Sequence, residues 1–160
     1  MAEQPYAVDA GHPPSLVIRL VNPILGVLLR TPLAGPAGKQ LMVLGFTGRK
    51  TGRQFSIPVS AHLIDGDLYA LTGAAWKQNF RDGAPARVVY GGRTIAMRGD
   101  LIRDPATVSE LLLRCAESYG VRRAQRMIGL KFREQRIPTR EEFAEAVNRL
   151  GLAAVRFTPA

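Results

Sequence analysis

The chain has 160 residues, and its 22 lysines and arginines outnumber its 13 aspartates and glutamates, so its formal charge is +9. Its 46% of hydrophobic residues is enough to bury a core, which excludes wholesale disorder and favours a single domain over residues 1–160. The single cysteine excludes a disulfide framework, and His12 and His62 lie too far apart in the sequence to form a zinc motif.

The positive charge is concentrated in two segments. Residues 10–64 contain six basic side chains and no acidic one, and residues 121–137 contain six basic side chains against Glu134 alone. A localised excess of this kind predicts an anionic partner, which could be nucleic acid, an anionic membrane or a phosphorylated ligand.

Segment 15–30 has the apolar character of an amphipathic helix. It is too short to cross a bilayer, and Arg19, Asn22 and Pro23 interrupt it. We therefore predict an N-terminal helix over 15–30 that packs on the domain or lies on a membrane surface, after a flexible stretch over 1–14. Because the N-terminus lacks the basic region of a signal peptide, we expect a cytoplasmic protein, with membrane association through 15–30 or 121–137 as an addition.

The middle of the chain consists of short apolar runs separated by turn residues. A polar, glycine-flanked stretch at 48–53 predicts one hairpin, the D-G-D sequence at 65–67 a second, and Gly91-Gly92 a third. Pro58 cannot donate to a ladder and so predicts a sheet edge or a bulge. The predicted strands are 41–47, 55–64, 68–73, 86–90 and 93–102, with an irregular or helical piece over 74–83.

The second half changes to helical periodicity. Asp104 and Pro105 predict the start of one helix, 121–134 a second, and the Thr139–Glu142 capping box a third that stops at Gly151. The apolar run 152–157 predicts a sixth strand. Hairpin-connected strands with one buried face tend to curl or close, so we expect a small α+β barrel with helices packed on it.

We find no nucleophile with a base at a suggestive spacing. His62 falls in a strand pattern and Cys115 on the apolar face of a helix, where structural roles are the ordinary ones. If the protein is an enzyme, its chemistry is therefore expected to come from a bound cofactor.

Two local features can bind a ligand. In T-G-R-K-T-G-R (47–53), two glycines allow backbone amides to point into the turn, where Arg49, Lys50 and Thr51 could bind phosphate or carboxylate. A solvated charged turn explains the same residues. Trp76, the one tryptophan, could form a wall of a pocket for a planar ring or could plug an end of the barrel.

Four features occur in a characteristic order: G-R-K-T-G at 48–52, Pro58, D-G-D at 65–67, and W-x-x-N at 76–79. In this order and spacing they resemble the deazaflavin-dependent nitroreductase family of split β-barrel flavin and deazaflavin oxidoreductases. The resemblance covers about residues 15–103. It implies an α+β split β-barrel of about six antiparallel strands, with an N-terminal helix and C-terminal helices packed on it, and a homodimer.

The resemblance also implies a site for coenzyme F420, an 8-hydroxy-5-deazaflavin, and hydride transfer from the reduced cofactor to a small electron-poor or conjugated acceptor. The turn would hold the phosphate-bearing tail, and the strand after it one edge of the ring. No metal is implied. By position, the implied cofactor-binding residues are Arg49, Lys50, Thr51, Arg53, Phe55, Ser56, Ile57, Pro58, Val59, Ser60, Leu71, Thr72, Gly73, Ala74, Ala75, Trp76, Lys77, Gln78 and Asn79.

The chain departs from the family pattern in places. Phe55 stands where many relatives have an arginine, which Arg53 could replace, and the stretch before Trp76 is shorter than in the nitroreductase. The substrate-enclosing aromatic residues lack clear counterparts in 104–137, where Tyr119 is the candidate catalytic residue.

Two alternatives stay open. The same fold could bind FMN or another planar cofactor, or the chain could be a non-enzymatic basic module on an anionic membrane or nucleic acid. Nucleic acid is disfavoured because the strands lack the aromatic ladder of single-strand binders.

Overall fold

The computed structural model of the chain describes residues 6–11 and 41–160. The predicted helix over 15–30 lies outside the described residues. The described chain divides into two compact units, and each is treated by itself. The sheet unit contains residues 41–70, 76–101 and 155–160, and the helical unit contains residues 6–11, 71–75 and 102–154.

The strands, numbered in chain order over the described residues, are β1 Val8–Ala10, β2 Leu41–Thr47, β3 Gln54–Ser60, β4 His62–Ile64, β5 Asp67–Thr72, β6 Ala84–Tyr90, β7 Arg93–Ile102, β8 Leu130–Phe132 and β9 Ala153–Pro159. A 3₁₀ helix covers Ala75–Phe80, and the α-helices are α1 Pro105–Tyr119, α2 Val121–Ile128 and α3 Arg140–Leu150. The predicted α+β class is confirmed.

The main sheet has seven strands in the order β3-β2-β6-β7-β9-β5-β4 and is a curled antiparallel sheet. The predicted sixth strand is confirmed, because β9 lies between β7 and β5. Pro58 lies in β3, at the end of this order, as its missing backbone N–H requires. The prediction of one strand over 55–64 is wrong, because the ladder breaks at Ala61 and the chain forms β3 and β4.

The conformations of the two-residue hairpin turns are set by glycine and aspartate residues. Asp65 and Gly66 have φ of 52° and 85°, and Gly91 and Gly92 have φ of 58° and 79°. Two consecutive residues with positive φ give a turn whose twist matches that of the strands, so both two-residue hairpins are confirmed.

The core of the sheet unit lies on the inner face of the sheet. The strict alternation of β2 places Met42, Leu44 and Phe46 in this core, with Phe80 and Phe157 fully buried beside them. The outer face carries the alternate side chains of each strand. They include Val43 and Val89, which are Cα partners across β2 and β6.

The helices of the helical unit begin at residues that cap them. The Asp104 side chain accepts a hydrogen bond from the amide of Thr107, and Thr139 and Glu142 form the predicted capping box. The apolar sides of α1 and α3 are buried, including Val108, Leu112 and Phe143. Both helix starts are confirmed.

Two sequence expectations fail in the helical unit. The second helix ends at Gly129, whose φ of 73° is left-handed, rather than at 134, and β8 follows at Leu130–Phe132. Its antiparallel partner is β1, so Val8–Ala10 is paired strand rather than flexible chain, with Val8 fully buried. The rest of the predicted flexible stretch is described only for residues 6, 7 and 11. Searched over the described residues, no helix is both long enough and apolar enough to span a membrane.

Candidate functional site

The turn between β2 and β3 is closed by its own backbone. The Gly48 amide donates to the Arg53 carbonyl at 2.7 Å, and the Gly52 amide donates to the Gly48 carbonyl at 2.9 Å. Gly52 has a φ of 72°, which favours glycine. A side chain at Gly48 would place its Cβ 2.7 Å from the Phe55 ring, so this glycine makes room for Phe55.

Arg49 joins this turn to the W-x-x-N segment of the 3₁₀ helix. Its amide donates to Oδ1 of Asn79 at 2.9 Å, and its guanidinium donates to the Arg81 carbonyl at 3.0 Å and to the Gln78 carbonyl at 3.5 Å. Asn79 in turn donates from Nδ2 to the Trp76 carbonyl at 2.8 Å. Two of the motifs that carry the resemblance are therefore one hydrogen-bonded unit.

The other polar residues of the turn are directed to solvent. Lys50, Thr51 and Arg53 are exposed. No ion pair within the described residues involves Lys50 or Arg53. The Thr51 hydroxyl accepts from the Arg53 amide at 3.3 Å. Lys50 and Arg53 are thus available to an anion, whereas Arg49 already binds carbonyl oxygens.

The strand after the turn divides the implied cofactor residues between two faces. Phe55, Ile57 and Val59 lie on the inner face, where Phe55 stacks on Phe46 with ring centroids 5.5 Å apart and Ile57 and Val59 pack against the core. Ser56, Pro58 and Ser60 alternate with them on the outer face. The two sets therefore point to opposite faces of the sheet, although Phe55 and Ser56 both border the groove described below.

Trp76 packs on the core of the sheet unit. Its ring lies 6.1 Å from Phe46 and 6.1 Å, edge to face, from Phe80. It is half-buried, so one part of the indole packs against the core and another part reaches solvent. Beside it Lys77 is 8% exposed, and burial lowers the pKa of its ammonium group.

A groove of about 940 Å³ lies on the outer face of the sheet unit and was not predicted from the sequence. Its lining includes Gly45, Ser56, Arg87 and Ala96, which form one row across β3, β2, β6 and β7. Arg87 is exposed and takes part in no ion pair within the described chain. The alternating pattern of β6 could have identified Arg87, because it directs this side chain to the face of the sheet that Ala86 and Val88 do not occupy.

The remaining implied cofactor residues, Leu71–Ala75, belong to the helical unit. Four of them, from Leu71 to Ala74, line a cavity in that unit. Tyr119, the candidate catalytic residue, ends α1, and the Arg123 guanidinium lies over its ring at 5.2 Å. Tyr119 lines neither the outer groove nor the cavity that Leu71–Ala74 line.

The basic segment 121–137 separates into two parts. Arg136 binds Glu142 through two hydrogen bonds of 2.7 and 3.0 Å and also pairs with Glu134. Arg122, Arg123 and Arg126 instead lie exposed on α2, whose other side buries Ala124 and Met127. The three arginines of α2 therefore share the exposed side of a helix that contains no acidic residue.

The side chains of His62 and Cys115 are both buried. Desolvation lowers the pKa of His62 to about 4 and raises the pKa of the Cys115 thiol to about 12, so both are neutral near pH 7. Over the described residues, no cluster of three or more His, Cys, Asp and Glu side chains is arranged to hold a metal ion. No family model and no curated protein matches the chain.

Proposed function

We propose that this protein is a coenzyme F420-dependent oxidoreductase with a split β-barrel fold, as its resemblance to the deazaflavin-dependent nitroreductase family implies. The observation that carries the proposal is the Arg49–Asn79 hydrogen bond, which joins residues 30 positions apart in the chain. Motifs that coincide by chance in a sequence have no reason to fold as one hydrogen-bonded unit. Cytoplasmic location and a homodimer belong to the same proposal.

The chemistry of the turn fits the phosphate of such a cofactor. Lys50 and Arg53 offer an ammonium and a guanidinium that no acidic side chain of the described residues neutralises, and Thr51 adds a hydroxyl. Charge-assisted hydrogen bonds from these groups are stronger than neutral ones. Arg49 would hold the turn against the 3₁₀ helix and would not bind the phosphate. When bound and reduced, the deazaflavin supplies a hydride to a small electron-poor or conjugated acceptor.

Binding can be measured by titrating the purified protein with oxidised F420 and following the fluorescence of Trp76, the single tryptophan. We expect saturable quenching at micromolar cofactor. The double variant Lys50→Ala/Arg53→Ala should weaken binding by about tenfold for each cation lost. The matched control is Arg93→Ala/Arg103→Ala, which removes two exposed arginines elsewhere and should bind like the parent.

Three results would count against the proposal. Absence of saturable quenching would reject the cofactor. Equal weakening in the control variant would show that net charge, and not the turn, attracts it. Tight binding of FMN with no binding of F420 would keep a planar-cofactor site but replace the deazaflavin.

A second candidate function rests on α2. Its three exposed arginines, with no acidic residue in the helix, fit an anionic surface, and its apolar side is already buried in the helical unit. Such a module would bind anionic lipid vesicles or nucleic acid with a steep salt dependence. The double variant Arg122→Ala/Arg126→Ala should abolish this binding, and the double variant Lys50→Ala/Arg53→Ala should leave it unchanged.

A further inference from the structure

The helical unit contains a partly open cavity of about 360 Å³, whose lining shares only Leu71–Ala74 with the implied cofactor residues. Its walls come from the end of β1, from the end of β5 and the residues after it, from α1, from the junction of α2 and β8, and from the junction of α3 and β9. The larger apolar side chains of its lining include Leu71, Val108, Leu112, Ile128, Leu130 and Leu152.

The lining is almost entirely apolar. Within the part of the chain that the structure describes, Thr72 is the one lining residue with a polar side chain, and its hydroxyl already accepts a hydrogen bond from the Ala74 amide at 2.9 Å. None of the described residues that line the cavity carries a charge. An ion placed here would lose its hydration without gaining a partner, so the cavity selects an uncharged molecule.

One wall is the N-terminal strand. The Gly11 amide donates to the Gly129 carbonyl at 2.9 Å, and a Cβ at Gly11 would come within 3.0 Å of that carbonyl oxygen. Arg149 fixes the same strand: it donates to the Val8 carbonyl, pairs with Asp9 at 3.3 Å and lies over the Tyr6 ring at 3.7 Å. The wall is thus held by contacts that do not fill the cavity.

The volume indicates the size of the molecule. Ligand pockets begin at about 300 Å³, and an apolar cavity of about 150 Å³ in another protein is large enough for benzene. A cavity of about 360 Å³ therefore has room for two fused rings with a substituent. We propose that this cavity is a binding site for an uncharged, largely apolar molecule of about that size, in the class of substituted bicyclic aromatics.

The inference stands apart from the cofactor proposal. The resemblance assigns Leu71–Ala74 to a phosphorylated cofactor, but the chemistry of the cavity that these residues line fits a neutral molecule. It needs neither Lys50 nor Arg53. A protein that fails to bind F420 could still bind at this cavity, and the reverse holds as well.

The probe is N-phenyl-1-naphthylamine, an uncharged compound whose fluorescence rises in apolar surroundings. We expect one saturable site per chain. The comparison probe is 8-anilinonaphthalene-1-sulfonate, which has similar rings and a negative charge, and it should bind about tenfold or more weakly at low salt and high salt alike.

Adjacent alanines provide a matched pair of variants. Ala74 and Ala75 are both exposed, but Ala74 lines the cavity and Ala75 does not. Ala74→Phe should weaken probe binding by about tenfold or more, and Ala75→Phe should bind like the parent. Leu112→Phe, which places extra volume on the α1 side, should also weaken binding, whereas Leu113→Phe on the same helix should not.

Each outcome decides the proposal. Specific weakening by Ala74→Phe and Leu112→Phe, with folding checked by thermal melting, supports the site. Absence of saturable binding, equal binding by all four variants, equal weakening by Ala74→Phe and Ala75→Phe, or tighter binding of the sulfonate would each overturn it. Because Ala74 and Ala75 are exposed, this pair remains informative even if Leu112→Phe fails to fold.

Discussion

The backbone amide of Arg49 donates a hydrogen bond of 2.9 Å to the side-chain oxygen of Asn79. The Asn79 amide group then donates to the Trp76 carbonyl, so one side chain satisfies backbone groups of both the β2–β3 turn and the 3₁₀ helix. An asparagine can do this because its carboxamide carries an acceptor and a donor. W-x-x-N is therefore a connection to the turn as well as a local helix motif.

Asn79→Ala should lower the free energy of unfolding by about 1–3 kcal/mol, because it leaves the Arg49 amide and the Trp76 carbonyl without this partner. Urea denaturation followed by Trp76 fluorescence measures the change. Asn148→Ala is the control, since Asn148 is exposed on α3, and it should change stability by less than about 0.5 kcal/mol. Equal losses in the two variants would contradict the structural role of Asn79.

Gly48→Ala tests the contact between the turn and Phe55. The added Cβ would lie 2.7 Å from the ring, which must move, and overpacking of this kind costs about 1–3 kcal/mol. Phe55→Leu removes the obstructing ring atoms, so we expect the double variant Gly48→Ala/Phe55→Leu to lose less than the sum of the single variants. Denaturation of the three variants forms a double-mutant cycle, and strict additivity would show that Gly48 and Phe55 are not coupled.

The parts of the fold that were predicted from the sequence are those set by local chemistry. Asp104 and Thr139 begin helices because their side chains accept from backbone amides, and Asp65-Gly66 turns because both residues adopt positive φ. The end of α2 was missed because Leu130 and Phe132 continue the apolar pattern of the helix. The partner that makes them strand, β1, lies far away in the sequence.

The residues of the candidate site were named from the sequence, but the different contacts that they make were not. Arg49 and Lys50 look equivalent in the sequence, and only the folded chain shows that Arg49 binds carbonyl oxygens while Lys50 faces solvent. Residues 55–60 were assigned together, although a strand directs alternate side chains to opposite faces. The outer groove with Arg87 depends on the order of four strands, which the sequence does not specify.

Glu142→Gln should lower stability at neutral pH and have little effect in strong acid. The Arg136 guanidinium, followed by the Thr139 amide, lowers the pKa of Glu142 to about 2. A depressed carboxyl pKa stabilises the fold above the unfolded value of about 4.5, and this contribution is lost as the pH falls toward 2. Because the pair is partly exposed, we expect a loss of about 1 kcal/mol at pH 7.

Glutamine keeps the capping geometry, so Glu142→Gln reports the charge alone. Glu141→Gln, at the neighbouring exposed position, should lose less stability at pH 7 than Glu142→Gln, because it removes only the interaction of a first-turn carboxylate with the helix dipole. Chemical denaturation at pH 7, 4 and 2.5 makes the comparison. A loss in Glu142→Gln that is constant over this range would show that the Arg136–Glu142 charge pair does not stabilise α3.

His62 should make the fold less stable as the pH falls from 6.5 to 4. Burial lowers its pKa from 6.5 to about 4, so in this interval the unfolded chain binds a proton that the folded chain does not. The parent should therefore lose about 2 kcal/mol between pH 7 and pH 5. His62→Leu removes the titrating group, and its unfolding free energy should lose most of this slope whatever its absolute stability. A slope that survives in His62→Leu would mean that another group causes it.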